Sequence, residues 1–145
     1  MKVYTIGFTK KSASDFFELI RGSGAKRLVD VRVSNLSQLA GFTKKGDLEY
    51  LVDKICRMRY VHLPELAPTK ELLRAYRNGQ CDWATYERRF LALMDQRRVG
   101  KMPIKRTVSN GCLLCSEDRP DRCHRRLVAE YLQRHWGDVE IVHLG

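Results

Sequence analysis

The fold class is decided by the stretch Gly111-Cys-Leu-Leu-Cys-Ser-Glu-Asp-Arg-Pro-Asp-Arg-Cys-His-Arg125. Its first part, Gly111 to Cys115, is a continuous apolar run of the kind found in strands that are covered on both faces. A helical pattern of apolar residues follows, from about residue 121 to residue 135. A buried strand that leads directly into a helix indicates an α/β protein with a parallel sheet.

Four more short apolar segments have the character of strands, and helical patterns separate them. These predicted strands are residues 3–7, 28–31, 60–63 and 140–143. The predicted helices between them begin at residues that cap helices, namely Ser12, Asp47 and Asp82. The sequence therefore predicts one three-layer α/β domain, residues 1–145, with a mostly parallel sheet of about five strands flanked by helices.

Length, charge and cysteine content limit the classes of protein to consider. The chain has 145 residues, with neither an apolar run long enough to span a membrane nor a leader pattern before the first predicted strand. It carries 27 lysines and arginines against 17 acidic residues, and the net charge of +10 favours phosphate-bearing partners or nucleic acid. Its five cysteines, an odd number without a secretion signal, indicate reduced thiols. We therefore expect a cytoplasmic protein with no membrane contact.

The ends of the predicted strands carry residue types that bind and react. Ligands of open parallel sheets bind beyond the carboxyl ends of the strands, so residues at these ends are expected to share one site. The candidate ligand-binding residues are Gly7, Asp30, Arg32, Glu65 and Arg125. The candidate catalytic residues are Cys115, Glu117, His124 and His62.

Helical spacing assigns different surroundings to three neighbours at the start of the last helix. His124 falls on the inward face, Arg125 on a partly covered face, and Arg126 on the solvated face. An arginine held at a helix N-terminus suits a phosphate or a carboxylate ligand. The alternative is that Arg125 pairs with Glu117 or Asp30 and holds the loop in place.

The cysteines are open to several interpretations. Cys115, at a strand end before a helix, is a candidate reactive thiol or else a small buried side chain. Cys112 lies three residues before it and points to the opposite face of a strand, which argues against a CxxC redox or zinc pair. A zinc site of Cys115, Cys123, His124 and His62 has suitable ligand types. However, neighbours on a helix lie about 100° apart, so we predict no metal site and no cofactor.

The segment from residue 96 to residue 110 is predicted to be a basic loop. Its cations are Arg97, Arg98, Lys101, Lys105 and Arg106, and it contains no acidic residue. Closely spaced cations bind phosphate backbones, so these residues are a candidate nucleic-acid-binding surface. The alternative is an ordinary solvated basic surface.

Four motifs occur in a fixed order along the chain. They are Tyr4-Thr-Ile-Gly7, Val29-Asp-Val-Arg32, Arg59-Tyr-Val-His-Leu-Pro-Glu-Leu66, and Leu113-Leu-Cys-Ser-Glu117 with Cys123-His-Arg125. Together they resemble the domain of unknown function 488 family over almost the whole chain. The resemblance implies the α/β fold and no particular reaction. The residues that match the family's pattern are Asp30, Arg32, His62, Pro64, Glu65, Cys115, Glu117, Cys123, His124 and Arg125.

A looser likeness is to rhodaneses and low-molecular-weight tyrosine phosphatases, in which a cysteine ends a strand and backbone amides hold an oxyanion. Those phosphatases need an arginine six residues after the cysteine, where this chain has Asp121. Two acids, Glu117 and Asp118, also occupy the loop where an anion would lie. These departures argue against phosphatase chemistry at the thiol.

Three functional hypotheses follow. The first is a phosphate-bearing or nucleotide-like ligand at the sheet edge, with Glu117 as base or nucleophile and His62 or His124 as its acid partner. The second is a nucleic-acid-binding module that uses residues 97–106. The third is a thiol-dependent sulfur-transfer or redox protein centred on Cys115.

Overall fold

The computed structural model describes residues 1–34 and 41–145, and within them a five-stranded parallel sheet forms the centre of the molecule. The strands are β1 (Lys2–Gly7), β2 (Arg27–Asp30), β3 (Arg59–His62), β4 (Gly111–Cys115) and β5 (Glu140–His143). Their order is β3-β2-β4-β1-β5, and every neighbouring pair is parallel. All carboxyl ends therefore lie along one edge of the sheet, and the predicted α/β fold class is confirmed.

Helices cover both faces of this sheet. In the described residues they are α1 (Ala13–Ser23), α2 (Lys45–Leu51), α3 (Lys70–Arg77), α4 (Trp83–Gln96), α5 (Lys105–Val108) and α6 (His124–Trp136). A π-helical turn (Val52–Cys56) continues α2, and 3-10 turns occupy Gly41–Thr43, Pro64–Leu66 and Val99–Lys101. None of the described helices combines the length and apolar character needed to cross a bilayer.

Two apolar layers lie on opposite sides of the sheet. One contains Phe90 of α4 and Leu127 of α6, and the other contains Phe16 of α1. Cys112 belongs to the layer on the α1 side and Cys115 to the layer on the α6 side. The prediction that these two thiols point to opposite faces of the strand is therefore confirmed.

Two predicted helix starts and one predicted loop are wrong. The helix expected from residue 121 begins at His124, because the Cys123 N–H donates to the Pro120 carbonyl and closes a turn first. The helix expected from Asp47 begins at Lys45, because Leu48 N–H donates to the Lys44 carbonyl. The segment expected to be a basic loop contains α5 and a 3-10 turn.

Gly7 ends β1 beneath the loop that follows β4. A Cβ at this position would overlap the carbonyl oxygen of Glu117 and lie 2.9 Å from Nη1 of Arg125. Only a residue without a side chain allows the loop to approach the strand this closely. The close approach of the loop is by itself sufficient to explain why glycine occupies position 7, without contact to a ligand.

Replacing Gly7 by alanine is expected to lower the free energy of unfolding by about 2 to 3 kcal/mol, because the loop carbonyl must move away from the new methyl group. Urea denaturation measures the effect. Gly22→Ala in α1 is the matched control, since a Cβ there meets nothing within 4 Å. That control should raise stability by about 0.5 to 1 kcal/mol through helix propensity. Equal stability of Gly7→Ala and wild type would contradict the packing.

Candidate functional site

A cavity of about 390 Å³ opens at the carboxyl edge of β1, β2 and β4. Three parts of the chain form its walls. The strand ends contribute Phe8, Arg32, Val33, Ser34 and Cys115; the loop after β4 and the start of α6 contribute Ser116, Glu117, Arg122, Cys123 and His124. The third wall is α3 with the start of α4, through Lys70, Leu73, Arg74, Tyr76, Arg77, Asn78, Trp83 and Tyr86. The structure thus brings together four predicted site residues: Arg32, Cys115, Glu117 and His124.

The thiol and the imidazole in this cavity lie side by side. His124 Nε2 is 2.6 Å from the carbonyl oxygen of Val31, and because a carbonyl only accepts, Nε2 carries the proton. Nδ1 is then the ring nitrogen without a proton; Sγ of Cys115 lies 3.5 Å from Nδ1 and 3.7 Å from Nε2. Both residues are buried, with about 5 % of the surface exposed or less. The predicted inward orientation of His124 is confirmed.

Cys123 contributes a second thiol to the same cluster. The pKa of Cys115 is lowered, first by a hydrogen bond from the Cys123 thiol and then by the Ser116 N–H and the charge of Arg125, while burial acts against the shift. Burial raises the pKa of Cys123 well above its usual value. Of the two thiols in this cluster, Cys115 therefore has the lower pKa.

Cys123 and His124 are not neighbours within a helix, which is what the prediction from helical spacing required. Cys123 is the N-cap of α6 and has an extended backbone (φ −135°, ψ 140°). This conformation turns its side chain toward Cys115. The ligand atoms of Cys115, Cys123 and His124 lie within 4.8 Å of one another. His62 is outside this group.

Arg32 is held from one side by a buried carboxylate. Its Nε and Nη2 donate to the two oxygens of Asp30 at 2.9 and 2.7 Å, and Nη2 also donates to the Thr43 carbonyl at 2.7 Å. The Tyr60 hydroxyl donates to the same carboxylate. The Phe8 ring covers the guanidinium at 5.5 Å. Asp30 therefore positions Arg32 and does not itself line the cavity.

One nitrogen of the Arg32 guanidinium donates no hydrogen bond to the described residues. The residue is only 4 % exposed, and its buried Nη1 has no hydrogen-bond partner among the described residues. A buried donor without a partner is destabilising, so a ligand oxygen that reached this atom from the cavity would be stabilised by it. Arg32 lines the cavity, and its role in ligand binding stays a prediction.

Arg125 is fully buried and its donors are used by the protein. Nη1 donates to the Glu117 carbonyl, Nη2 to the Asp118 carbonyl at 3.2 Å, and Nε to Thr5 Oγ1 at 3.3 Å. The alternative in which Arg125 holds the loop fits this geometry, although the partners are carbonyl groups and not the carboxylates of Glu117 or Asp30. Arg125 is a positioning residue behind the cavity wall.

His62 and Glu65 do not line the cavity, although they follow a strand as expected. The ring of His62 donates from Nε2 to the Arg32 carbonyl at 2.9 Å, so it supports the backbone behind Arg32. Glu65 is exposed in the turn after β3, where its carbonyl accepts from Arg97 at 2.8 Å. Because β3 is the outermost strand of the sheet, its end lies to one side of the cavity.

Sequence reasoning missed the basic wall that α3 contributes. Thr69 caps this helix by accepting from the Leu72 N–H at 3.1 Å. Lys70, Arg74 and Arg77 then recur at helical spacing and all line the cavity. The capping threonine and this spacing were the signals in the sequence that could have revealed the wall.

The predicted nucleic-acid-binding residues lie away from the cavity, and one of them donates hydrogen bonds to other parts of the protein. Arg97 donates to the carbonyls of Glu65 and Ala67, so it joins α4 to the turn after β3. Lys105 and Arg106 flank a shallow depression near the start of β2, at the opposite edge of the sheet from the cavity. Arg98 and Lys101 are exposed in a turn. The described residues thus form two separate basic surfaces.

The fold and this site define an α/β protein with a cavity at the carboxyl edge of its sheet, lined by thiols, an imidazole and arginines. The chain belongs to the family described as Domain of unknown function DUF488, which it matches over residues 12–132 of 145. The resemblance inferred from the four motifs is therefore confirmed. No curated protein and no solved structure matches the chain.

Proposed function

We propose that the cavity binds a phosphate-bearing ligand and that Arg32 is the inner contact for its oxyanion. The observation that carries this proposal is Arg32, a residue of the cavity lining whose buried Nη1 has no hydrogen-bond partner among the described residues. Hydrogen bonds to charged groups are worth about 1.5 to 3 kcal/mol each, more than neutral ones. A phosphate oxygen supplies the acceptor that the protein does not.

Charge around the cavity supports an anion. Among the described lining residues five are basic and one is acidic, namely Arg32, Lys70, Arg74, Arg77 and Arg122 against Glu117. Because Asp30 neutralises Arg32, the positive field comes from the four basic residues at the rim, which are exposed. The N-terminus of the 13-residue α6, which has no side-chain cap, adds its partial positive charge.

The aromatic wall supports a ligand that carries a ring as well as a phosphate. The ring centroids of Tyr76 and Trp83 are 5.5 Å apart, and those of Trp83 and Tyr86 are 5.1 Å apart. The cavity volume of about 390 Å³ lies within the range of about 300 to 1,000 Å³ that is usual for small-molecule sites. These features fit a nucleotide-like ligand better than a large polyanion.

The proposal assigns proton transfer to fewer residues than the sequence suggested. Glu117 lines the cavity and is the group placed for proton transfer to a bound ligand. His124 also lines the cavity, but its ring nitrogens contact the Val31 carbonyl and the Cys115 thiol, so we assign it no direct transfer to the ligand. His62 contacts the Arg32 backbone from outside the cavity, so we assign it no proton-transfer role.

Titration with inorganic phosphate and with a nucleoside monophosphate tests the proposal. Trp83 lines the cavity, so its fluorescence should change on binding; a Trp136→Phe background leaves it as the remaining tryptophan. We expect saturable binding of both ligands, tighter for the nucleotide because of the aromatic wall, and weaker with added salt. The absence of a saturable response in calorimetry and fluorescence would refute the proposal.

Replacing Glu117 by glutamine is expected to tighten binding of inorganic phosphate about three- to tenfold, because it removes the one acidic side chain of the described lining. The same titration measures it. Asp121→Asn, an exposed acid outside the lining, is the control and should change binding less. Weaker phosphate binding by Glu117→Gln would show that the carboxylate contacts the ligand as a hydrogen-bonding group.

A further inference from the structure

The cluster of Cys115, Cys123 and His124 has a second property that phosphate binding does not explain. Two thiols and one imidazole meet in the buried wall of the cavity with all ligand atoms within 4.8 Å. A free buried cysteine ordinarily behaves as a small apolar core residue with no polar partner. In this chain Cys112 illustrates the ordinary case, because it is fully buried on the other face of the sheet.

We infer that Cys115, Cys123 and His124 form a three-ligand site for a thiophilic divalent cation with tetrahedral preference, of which zinc is the type. The residue types are those that zinc prefers, and hard cations such as magnesium and calcium require oxygen ligands that this cluster lacks.

The spacing of the cluster allows tetrahedral coordination after the imidazole turns. A cation about 2.3 Å from sulfur and about 2.05 Å from nitrogen separates those two atoms by about 3.6 Å. Sγ of Cys115 lies 3.5 Å from Nδ1 of His124 and 3.7 Å from Nε2. Because the sulfur is almost equally far from both ring nitrogens, the ring must rotate for the Nδ1 lone pair to face a cation held by the thiol. Sγ of Cys123 lies within 4.8 Å of both other ligand atoms.

One contact of His124 is typical of a metal ligand. Its Nε2 donates to the Val31 carbonyl, which leaves Nδ1 as the ring nitrogen that carries no proton. Histidines that bind metal ordinarily donate their other ring N–H to a carbonyl or carboxylate in this way. Val31 follows β2 and is itself fully buried, so the acceptor of this contact is positioned by the sheet and not by the loop.

Electrostatics permits a divalent ion despite the basic surroundings. Two thiolates neutralise the charge of the cation, so the loaded cluster is close to neutral and its burial is not penalised as a bare charge would be. Both thiols must lose their protons, so loading releases protons to solvent.

The site has three protein ligands and leaves a fourth position. Zinc sites that are purely structural have four protein ligands, whereas sites with three keep one position for water or a ligand. Here the ligand residues line the cavity that also contains Arg32. The fourth position therefore faces the same space, and its occupation by a phosphate oxygen rests on the proposed function.

Cobalt substitution tests the site in the folded full-length protein. The chain is treated with chelator and kept under a non-metal-binding reductant, then titrated with Co²⁺ without phosphate. We expect one equivalent to bind, with thiolate-to-cobalt charge-transfer absorption and the strong visible bands of tetrahedral cobalt, and with displacement by Zn²⁺. Absence of charge-transfer absorption would overturn the inference, because the thiols would then hold only protons.

Variants assign the ligands. Cys123→Ser and His124→Asn are expected to weaken Zn²⁺ binding at least about 100-fold in competition with a chromophoric chelator, since even outer-shell changes cost about 10- to 100-fold. Cys81→Ser is the matched control, because Cys81 is half-buried and outside the cluster, and it should bind as wild type does. Undiminished affinity in both cluster variants would overturn the assignment.

A measurement on the wild type covers the case in which a cluster variant fails to fold. Because Cys115 and Cys123 are buried, alkylation is followed at a urea concentration at which both thiols of the metal-free protein react. Bound Zn²⁺ should slow their alkylation, read by mass spectrometry, while Cys56 and Cys81 react as before. Equal alkylation with and without Zn²⁺ would overturn the inference. Phosphate titration of the chelator-treated protein is measured in parallel. If the metal site is absent, phosphate still binds but Zn²⁺ does not; if the phosphate site is absent, Zn²⁺ still binds but phosphate does not.

Discussion

Replacement of Arg32 by lysine is expected to weaken phosphate binding by about 10- to 100-fold. The variant keeps the positive charge but removes the planar fork, and with it the Nη1 donor that has no partner among the described residues. Loss of one hydrogen bond to a charged group, about 1.5 to 3 kcal/mol, corresponds to that change in affinity. Fluorescence titration of Trp83 or calorimetry with inorganic phosphate measures it.

A rim residue provides the comparison for this result. Arg74 of α3 lines the same cavity but is exposed, so it acts as a screened point charge that lysine replaces well. Arg74→Lys should therefore bind phosphate within about twofold of wild type. Circular dichroism checks that Arg32→Lys is folded. If the folded Arg32→Lys variant bound as tightly as wild type, the inner contact would lie elsewhere.

Replacement of Arg125 by methionine is expected to lower the free energy of unfolding by about 4 kcal/mol. Methionine preserves much of the side-chain volume but leaves the carbonyls of Glu117 and Asp118 without their donor, and each unsatisfied buried group costs about 1 to 3 kcal/mol. Loss of the contact to Thr5 adds to this. Urea denaturation measures the change.

The neighbouring arginine is the matched control for Arg125. Arg126 forms ion pairs with Glu87 and Glu130 at 3.1 and 3.2 Å near the surface. Such pairs contribute at most about 1 kcal/mol, so Arg126→Met should change stability by no more than that. Similar losses in the two variants would contradict the assignment of Arg125 as the residue that holds the loop.

Local patterns in the sequence predicted the faces of the elements well. The opposite orientation of Cys112 and Cys115 follows from the twofold period of a strand, and the inward orientation of His124 follows from helical spacing. The Arg126–Glu130 pair also follows from helical spacing. Each of these depends on residues a few positions apart, so no knowledge of the rest of the fold was needed.

The candidate site was predicted in part. Arg32, Cys115, Glu117 and His124 line one cavity, because they follow parallel strands or begin the next helix. The separation of His62 from the cavity was not predicted, since it depends on β3 lying at the outer position of the sheet. Periodicity within a strand carries no information about which strands are its neighbours.

The sequence by itself determined the α/β class, the residues at the strand ends and the family. Only the tertiary structure decided that β4 lies between β2 and β1, that α3 supplies a basic wall, and that Cys123 turns toward Cys115. The physical reason is that an apolar pattern shows which side of an element is buried but not what covers it. Strand order, the packing of α3 and the turn before α6 depend on contacts between distant segments, which are chosen by the stability of the whole fold.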